Sequence, residues 1–328
     1  MGWIGKLFSG DDENTTSAPA AIDATAAEDA SEPASAADID ARYYRWLAAG
    51  RAQPATAETE QQILDELARL AQAPIAGAAL VPRVPAIIPQ LMRTLQDENM
   101  NAATLSRQLS QDVVLVAELY LEANRPCYRP RYHSGPPIDS IEGAIMLLGQ
   151  NGMRMLLARV AFRPVMNMQS GPLAKRAAPL IWRQSEKCAL AASLLAPSMR
   201  VNAFDVYLAG LMANVGLVVA FRLIDQMASQ EALPQSDEFI AGLFAQARTL
   251  SARIAALWEF PDTVTSAIDH AGQPDAPAPA QTLALGERLS KLRMLVDAYK
   301  LEPDDPVVVN GLGRAALACF DKLTDQDD

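Results

Sequence analysis

The sequence predicts an all-α fold, a multi-helix bundle. Apolar residues recur three and four positions apart through most of the chain from residue 40 onward, the spacing of a helix face. The chain is rich in Ala, Leu, Arg, Gln and Glu and only 6% aromatic, which favours helix by intrinsic propensity. No alternating apolar and polar run is long enough for a strand; Val307, Val308 and Val309 follow Pro306, which suits the first position of a helix.

Residues 1–8 form a short apolar tag in which Trp3, Ile4, Leu7 and Phe8 share one helical face. The expectation is a weak contact with a membrane surface or a partner, set against a terminus that docks on its own body or frays. Residues 9–38 hold eight acids and no base, with Ile22 their one large apolar residue, and read as a disordered acidic linker. A helical hairpin is expected over 39–79: Tyr43, Tyr44 and Leu47 lead to Gly50, and Ile63, Leu64, Leu67 and Leu70 mark the second helix.

From 80 onward the helices are closely punctuated. Ile87, Leu91 and Leu95 mark one, Leu105 and Leu109 the next, and Asp112 is placed to cap a third, 113–124. A Pro-, Arg- and Tyr-rich loop follows over 125–137. Asp139 and Glu142 have capping-box spacing ahead of Ile145, Leu147 and Leu148, and Gly149 ends that helix. Further helices are expected at 153–168 with a kink at Pro164, then at 179–195, 203–227, 237–258, 261–271, 281–300 and 306–323. The main domain is read as 80–275, with the helices of 276–328 packing on it.

The formal charge of -11 comes from the ends: residues 9–38 and the tail from Asp321 carry most of it, leaving 39–320 near -1. Nothing in this balance favours nucleic acid, which calls for a basic excess. Cys127, Cys188 and Cys319 are far apart and odd in number, so they read as reduced thiols of a cytoplasmic protein. No apolar run reads as long enough to span a bilayer, and the N-terminus is too short for a secretory signal.

Several segments carry a family resemblance. The sequence Val81-Pro82-Arg83-Val84-Pro85 is similar to an opening Leu-Pro-x-Leu-Pro, and 138–149 to Ile-x-Ser-Ile-x-x-Ala-Ile-x-x-Leu-Gly. Trp182-Arg183-Gln184-Ser185 resembles Trp-x-His-Ser with the His replaced. Trp258-Glu259-Phe260-Pro261 and Ala267-Ile268-Asp269-His270 resemble the closing blocks. In this order they resemble the HDOD family, bacterial all-helical relatives of the HD metal-dependent phosphohydrolases. The helix 207–216 resembles the one that carries the His-Asp metal pair of those enzymes, but Ala213 and Asn214 stand there. The resemblance implies a regulatory or scaffolding domain in signalling, with Gln184, Ala213, Asn214 and Asp269 at degenerate ligand positions.

Alanine offers a metal no donor atom, and an amide is a neutral, weak ligand where HD-type hydrolysis needs several imidazoles and carboxylates to activate a water. The expectation is therefore a non-enzymatic protein with no catalytic residue, no metal and no cofactor. Its expected partners are other signalling proteins. A phosphohydrolase built on Asp269, His270 and acids such as Asp205 or Glu238 is the enzymatic alternative. There is no Gly-x-Ser-x-Gly and no phosphate-cradling glycine loop. A third reading is an anion or nucleotide sensor at Asn124, Arg125, Tyr128, Arg129, Arg131, Tyr132 and His133, because Arg forks onto phosphate and Tyr stacks on bases. Against it stands a solvated loop whose rings cover the core. Met153, Met155, Met166 and Met168 read as core filler, and Trp182 and Trp258 as packing anchors.

Overall fold

Ser35 starts the first helix by a device local enough to read from sequence: its hydroxyl accepts from the Asp38 backbone at 3.2 Å, and the Asp38 carboxylate accepts from the Ser35 N–H at 3.2 Å. Helix α1 therefore runs Ala36–Leu47, so 36–38 are helical rather than part of a linker that extends to 38. The computed structural model describes residues 34–48, 53–72, 80–81, 113–124, 136–167, 171–228 and 232–324. The tag 1–8, most of the linker, the helices expected near 87–95 and 105–109, the Asp112 cap and the loop from Arg125 to His133 lie outside them.

The described helices are α1, α2 (Ala57–Gln72), α3 (Val113–Ala123), α4 (Ile141–Asn167), α5 (Pro172–Met199) and α6 (Ala203–Met212). They continue with α7 (Val215–Met227), α8 (Asp237–Leu257), α9 (Asp262–His270), α10 (Ala278–Asp297), α11 (Pro306–Val309) and α12 (Arg314–Asp321). The all-α class holds. The described strands, β1 (Gln53–Pro54) and β2 (Ala232–Leu233), form a parallel bridge with Gln53 opposite Ala232.

Several boundaries differ from the sequence expectation. Gly149 takes φ 64 and ψ -175 inside α4, so it does end one helical run, while Pro164 lies in a run with no other non-helical residue. Ser140, not Asp139, caps α4, its hydroxyl accepting from the Gly143 N–H at 3.1 Å; with glycine three residues on, there is no capping box. Helix α5 starts seven residues earlier than 179 because Pro172 opens it and the Asp225 carboxylate accepts from the Leu173 and Ala174 N–H groups at 3.0 and 2.7 Å. The helix expected over 306–323 breaks at 310–313, where Gly311 has φ 77.

The helix expected over 203–227 breaks at Ala213–Asn214. The cause is Ser251 of α8, whose hydroxyl donates to the Ala213 carbonyl at 2.7 Å and accepts from the Gly216 N–H at 2.8 Å. It satisfies backbone groups at the junction that continuous helix would pair internally. This stretch also corrects the reading of apolar runs: 203–227 is long and apolar enough to cross a membrane, but 94% of its most apolar window is buried in the fold.

The residues from Pro33 onward form one compact unit. Helix α5 is its axis, with α6, α7, α10 and α12 against it. Helices α1 and α2 pack mainly on α8, and α1 also on α10, rather than on each other as a hairpin. Tyr43, Tyr44, Ile63 and Leu67 join the same core as Phe221, Phe239 and Leu243. Polar ties close this seam: Glu60 accepts from the Gln235 N–H at 2.7 Å and the Ser236 hydroxyl at 2.5 Å, Tyr44 donates to the Pro234 carbonyl at 2.9 Å, and Arg253 donates to the Ala71 carbonyl. Trp258 stacks on Phe162 with centroids 6.2 Å apart, Trp182 is buried on α5, and Met153 and Met155 are in the core.

Candidate functional site

The junction between α6 and α7 presents Asn214 to α5. Its side-chain amide donates to Gln184 Oε1 at 2.6 Å and to Ser185 Oγ at 3.2 Å. Gln184 passes the chain on, donating from Nε2 to Ser290 Oγ of α10 at 2.7 Å, and Ser290 donates to the Glu287 carbonyl at 2.9 Å. Gln184 and Ser290 are 0% exposed and Asn214 4%. Buried amides are costly unless their donors are met, and this relay meets them with neutral groups alone.

Charge lies one layer away. A cleft beside Asn214 is lined by Phe244 and Arg248 of α8 and Glu287 and Lys291 of α10, among others. Arg248 Nη2 is 3.0 Å from Glu287 Oε2, and this carboxylate raises the guanidinium pKa further. Lys291 Nζ is 2.5 Å from Asp40 Oδ1 of α1 and 4.7 Å from the centre of the Phe244 ring. Nearby, burial pushes the Cys188 thiol and the Tyr43 hydroxyl well above their ordinary pKa values. The space near Ala213 is thus not an emptied apolar void. It is a polar interior in which two cations balance two carboxylates. The cavity volume is about 10 Å³, the lower limit for one water.

Of the four positions that the resemblance picks out, the structure brings Gln184 and Asn214 into direct contact and sets Ala213 beside them, its carbonyl held by Ser251. Asp269 does not join them. It is exposed on α9, whose buried face is Val264, Ala267 and Ile268, and a one-residue step turns it about 100° from Ile268. His270 is half-buried at the end of α9, its Nδ1 donating to the Ser266 carbonyl at 2.9 Å. Asp205 accepts from Thr263 at 2.9 Å, and Glu238 is exposed in the first turn of α8. Among the described residues, no three of His, Cys, Asp and Glu gather as a group able to hold a metal.

Asn124 has a structural use that the sequence did not reveal. Its amide donates to the Tyr120 and Ile138 carbonyls at 2.8 and 2.9 Å, and its carbonyl accepts from the Ile138 N–H at 2.9 Å. It clamps the two ends of the following loop rather than offering a free ligand group. Arg125, Tyr128, Arg129, Arg131, Tyr132 and His133 fall outside the described residues.

Sequence reasoning missed Ser251, Arg248, Glu287, Ser290, Lys291 and Asp40. A signal was present: Glu287 and Lys291 lie four apart in a run with Leu283, Leu289, Leu292 and Leu295, and both are buried.

The HDOD domain family model matches residues 81–274, more than half of the chain. No curated protein sequence matches it. Among solved structures, a Shewanella amazonensis SB2B protein that carries the name of a metal-dependent phosphohydrolase is similar at TM-score 0.55 and 16% identity, over 81% of this chain and 98% of that one. An HDOD domain protein of unknown function from Geobacter sulfurreducens is similar at TM-score 0.54 and 20% identity, over 82% of this chain and 94% of that one. A second Shewanella amazonensis SB2B protein, named a phosphohydrolase, reaches 0.50 at 18% identity, over 81% of this chain and 93% of that one. At such identities the likeness concerns the fold, and it covers more of the chain than 81–274.

Proposed function

This chain belongs to the HDOD domain family, and from that premise we propose that it is a non-enzymatic regulatory protein of bacterial signal transduction, a cytoplasmic scaffold whose helical body binds other signalling proteins. One observation carries the reading: Asn214, Gln184 and Ser290 spend their side chains on each other where a hydrolase would present imidazole and carboxylate to a cation. An amide relay gives a divalent ion no charge and lowers no water pKa. The helices around it pack as one compact unit, which suits presentation of a surface.

The test joins metal analysis of the purified protein with a screen of nucleotides and phosphodiesters in Mn or Mg. The expected result is no stoichiometric metal and no turnover. Capture from the native cell, with and without residues 1–38, then identifies what binds. Two of the structural neighbours carry phosphohydrolase names, which keeps the enzymatic alternative specific. Turnover that disappears in His270→Ala would establish it.

A further inference from the structure

Lys291, which lines the cleft from α10, pairs with Asp40 of α1, and both helices lie outside the family block 81–274. The Lys291 side chain is only 5% exposed. A buried ammonium needs an anionic partner, so the space in front of Lys291 is by its chemistry an oxyanion slot, and α1 fills it with a carboxylate. That filling is incomplete. Arg248 lines the same cleft, spends Nη2 on Glu287, and leaves a buried Nη1 with no hydrogen-bond partner among the described residues. A carboxylate has two oxygens, and Asp40 directs one of them at Lys291. A phosphoryl group has three, enough to meet Lys291 and the idle Arg248 donor together. The remaining cavity of about 10 Å³ cannot hold a phosphoryl group beside Asp40, so such a ligand has to replace the carboxylate.

We propose that Arg248 and Lys291 form a phosphoryl-binding site beside Asn214, held shut in cis by Asp40, and that an occupant and the docked first turns of α1 compete for it. This rests on the reading of a binding rather than a hydrolysing centre. The hydrophobic anchors Tyr43, Tyr44 and Leu47 lie farther along α1 and stay buried, so exchange of the anion loosens the start of the helix without releasing it.

Inorganic phosphate, titrated calorimetrically into the full chain with acetate as the comparison anion at matched ionic strength, tests the site. Asp40→Asn is expected to bind phosphate at least ~10-fold more tightly than wild type, about 1.4 kcal/mol, and more tightly than it binds acetate. Asp40→Asn combined with Lys291→Met is expected to lose the binding. Equal affinity in wild type and Asp40→Asn, equal binding of acetate, or binding that survives in the double variant overturns the proposal. In the wild-type chain, amide exchange over the start of α1, residues 36–42, is expected to be faster in phosphate than in chloride of the same ionic strength, and unchanged exchange overturns the competition even if a variant fails to fold. Failure here leaves the non-enzymatic reading standing; release of phosphate from a substrate would defeat that reading instead.

Discussion

Asn214 and Gln184 face each other across 2.6 Å, amide nitrogen to amide oxygen, thirty residues apart in the chain and almost wholly shielded from water. A carboxylate at position 214 would bring an acceptor-only group against the Gln184 carbonyl oxygen, which needs a donor. The two amides are complementary to each other because each carries both a donor and an acceptor. The pair is therefore a rebuilt interior with its own hydrogen-bond logic.

Gln184→Ala removes the centre of this relay. It leaves the Asn214 amide short of its main acceptor and takes from Ser290 Oγ the donor it accepts from, so the loss is expected to be about 1–3 kcal/mol. Asp269→Ala, on an exposed position, is expected to stay within about 0.5 kcal/mol. Urea unfolding of both variants checks the contrast. Equal midpoints for the two would mean that the relay contributes nothing to stability.

Gly216→Ala tests the packing behind the α6–α7 junction. A Cβ at 216 would run into the Ala247 carbonyl oxygen and crowd the Ser251 backbone. Both are backbone atoms that cannot rotate aside, so overpacking is expected to cost about 1–3 kcal/mol. Gly272→Ala meets open space but sits at φ 80, so its expected penalty is backbone strain alone. Thermal unfolding of the two variants, with a structure of whichever folds, separates the two causes.

Glu60→Ala tests the seam between the N-terminal helices and the body. It leaves the Gln235 and Ser236 N–H groups and the Ser236 hydroxyl without their shared acceptor. The expected loss is about 1–3 kcal/mol, with amide exchange rising first in α2 and around 232–236. A fragment cut to 81–274 lacks α1, α2 and α10, and with them part of the shared core. It is expected to lose near-ultraviolet dichroism and expose apolar surface.

Burial raises the Cys319 thiol from its ordinary 9.0 to about 11, and raises Cys188 by the same cause. The sign follows from linkage. Between about pH 9 and 11 the unfolded chain has lost the Cys319 proton and the folded chain retains it, so stability that is complete below the lower value falls as pH rises through the higher one. Stability measured from pH 8 to 11 should fall less steeply in Cys319→Ser. Peptides carrying Cys188 and Cys319 should resist alkylation at pH 8 until the protein is unfolded. Rapid native modification of Cys188 would contradict its burial.

The helical class was legible because it depends on local spacing and propensity. Most helix bodies fall where three- and four-residue periodicity placed them. Two of the misplaced boundaries come from contact between residues distant in sequence. Asp225 reaches back to start α5, and Ser251 enters the turn that parts α6 from α7. Ordered motifs also made the family legible, and the absence of His and Asp at 213 and 214 could be read directly.

The sequence by itself therefore determined the all-helical class, the family and the presence of Ala and Asn at 213 and 214. Only the tertiary structure decided what these residues meet: that Asn214 donates to Gln184 and Gln184 to Ser290, that Asp269 turns away to solvent, and that Asp40 reaches Lys291 across 251 residues of chain. The physical reason is range. Periodicity assigns a residue to a helix face, but which faces meet, and which side chains then share one hydrogen bond, depends on how helices remote in the chain pack around a common core.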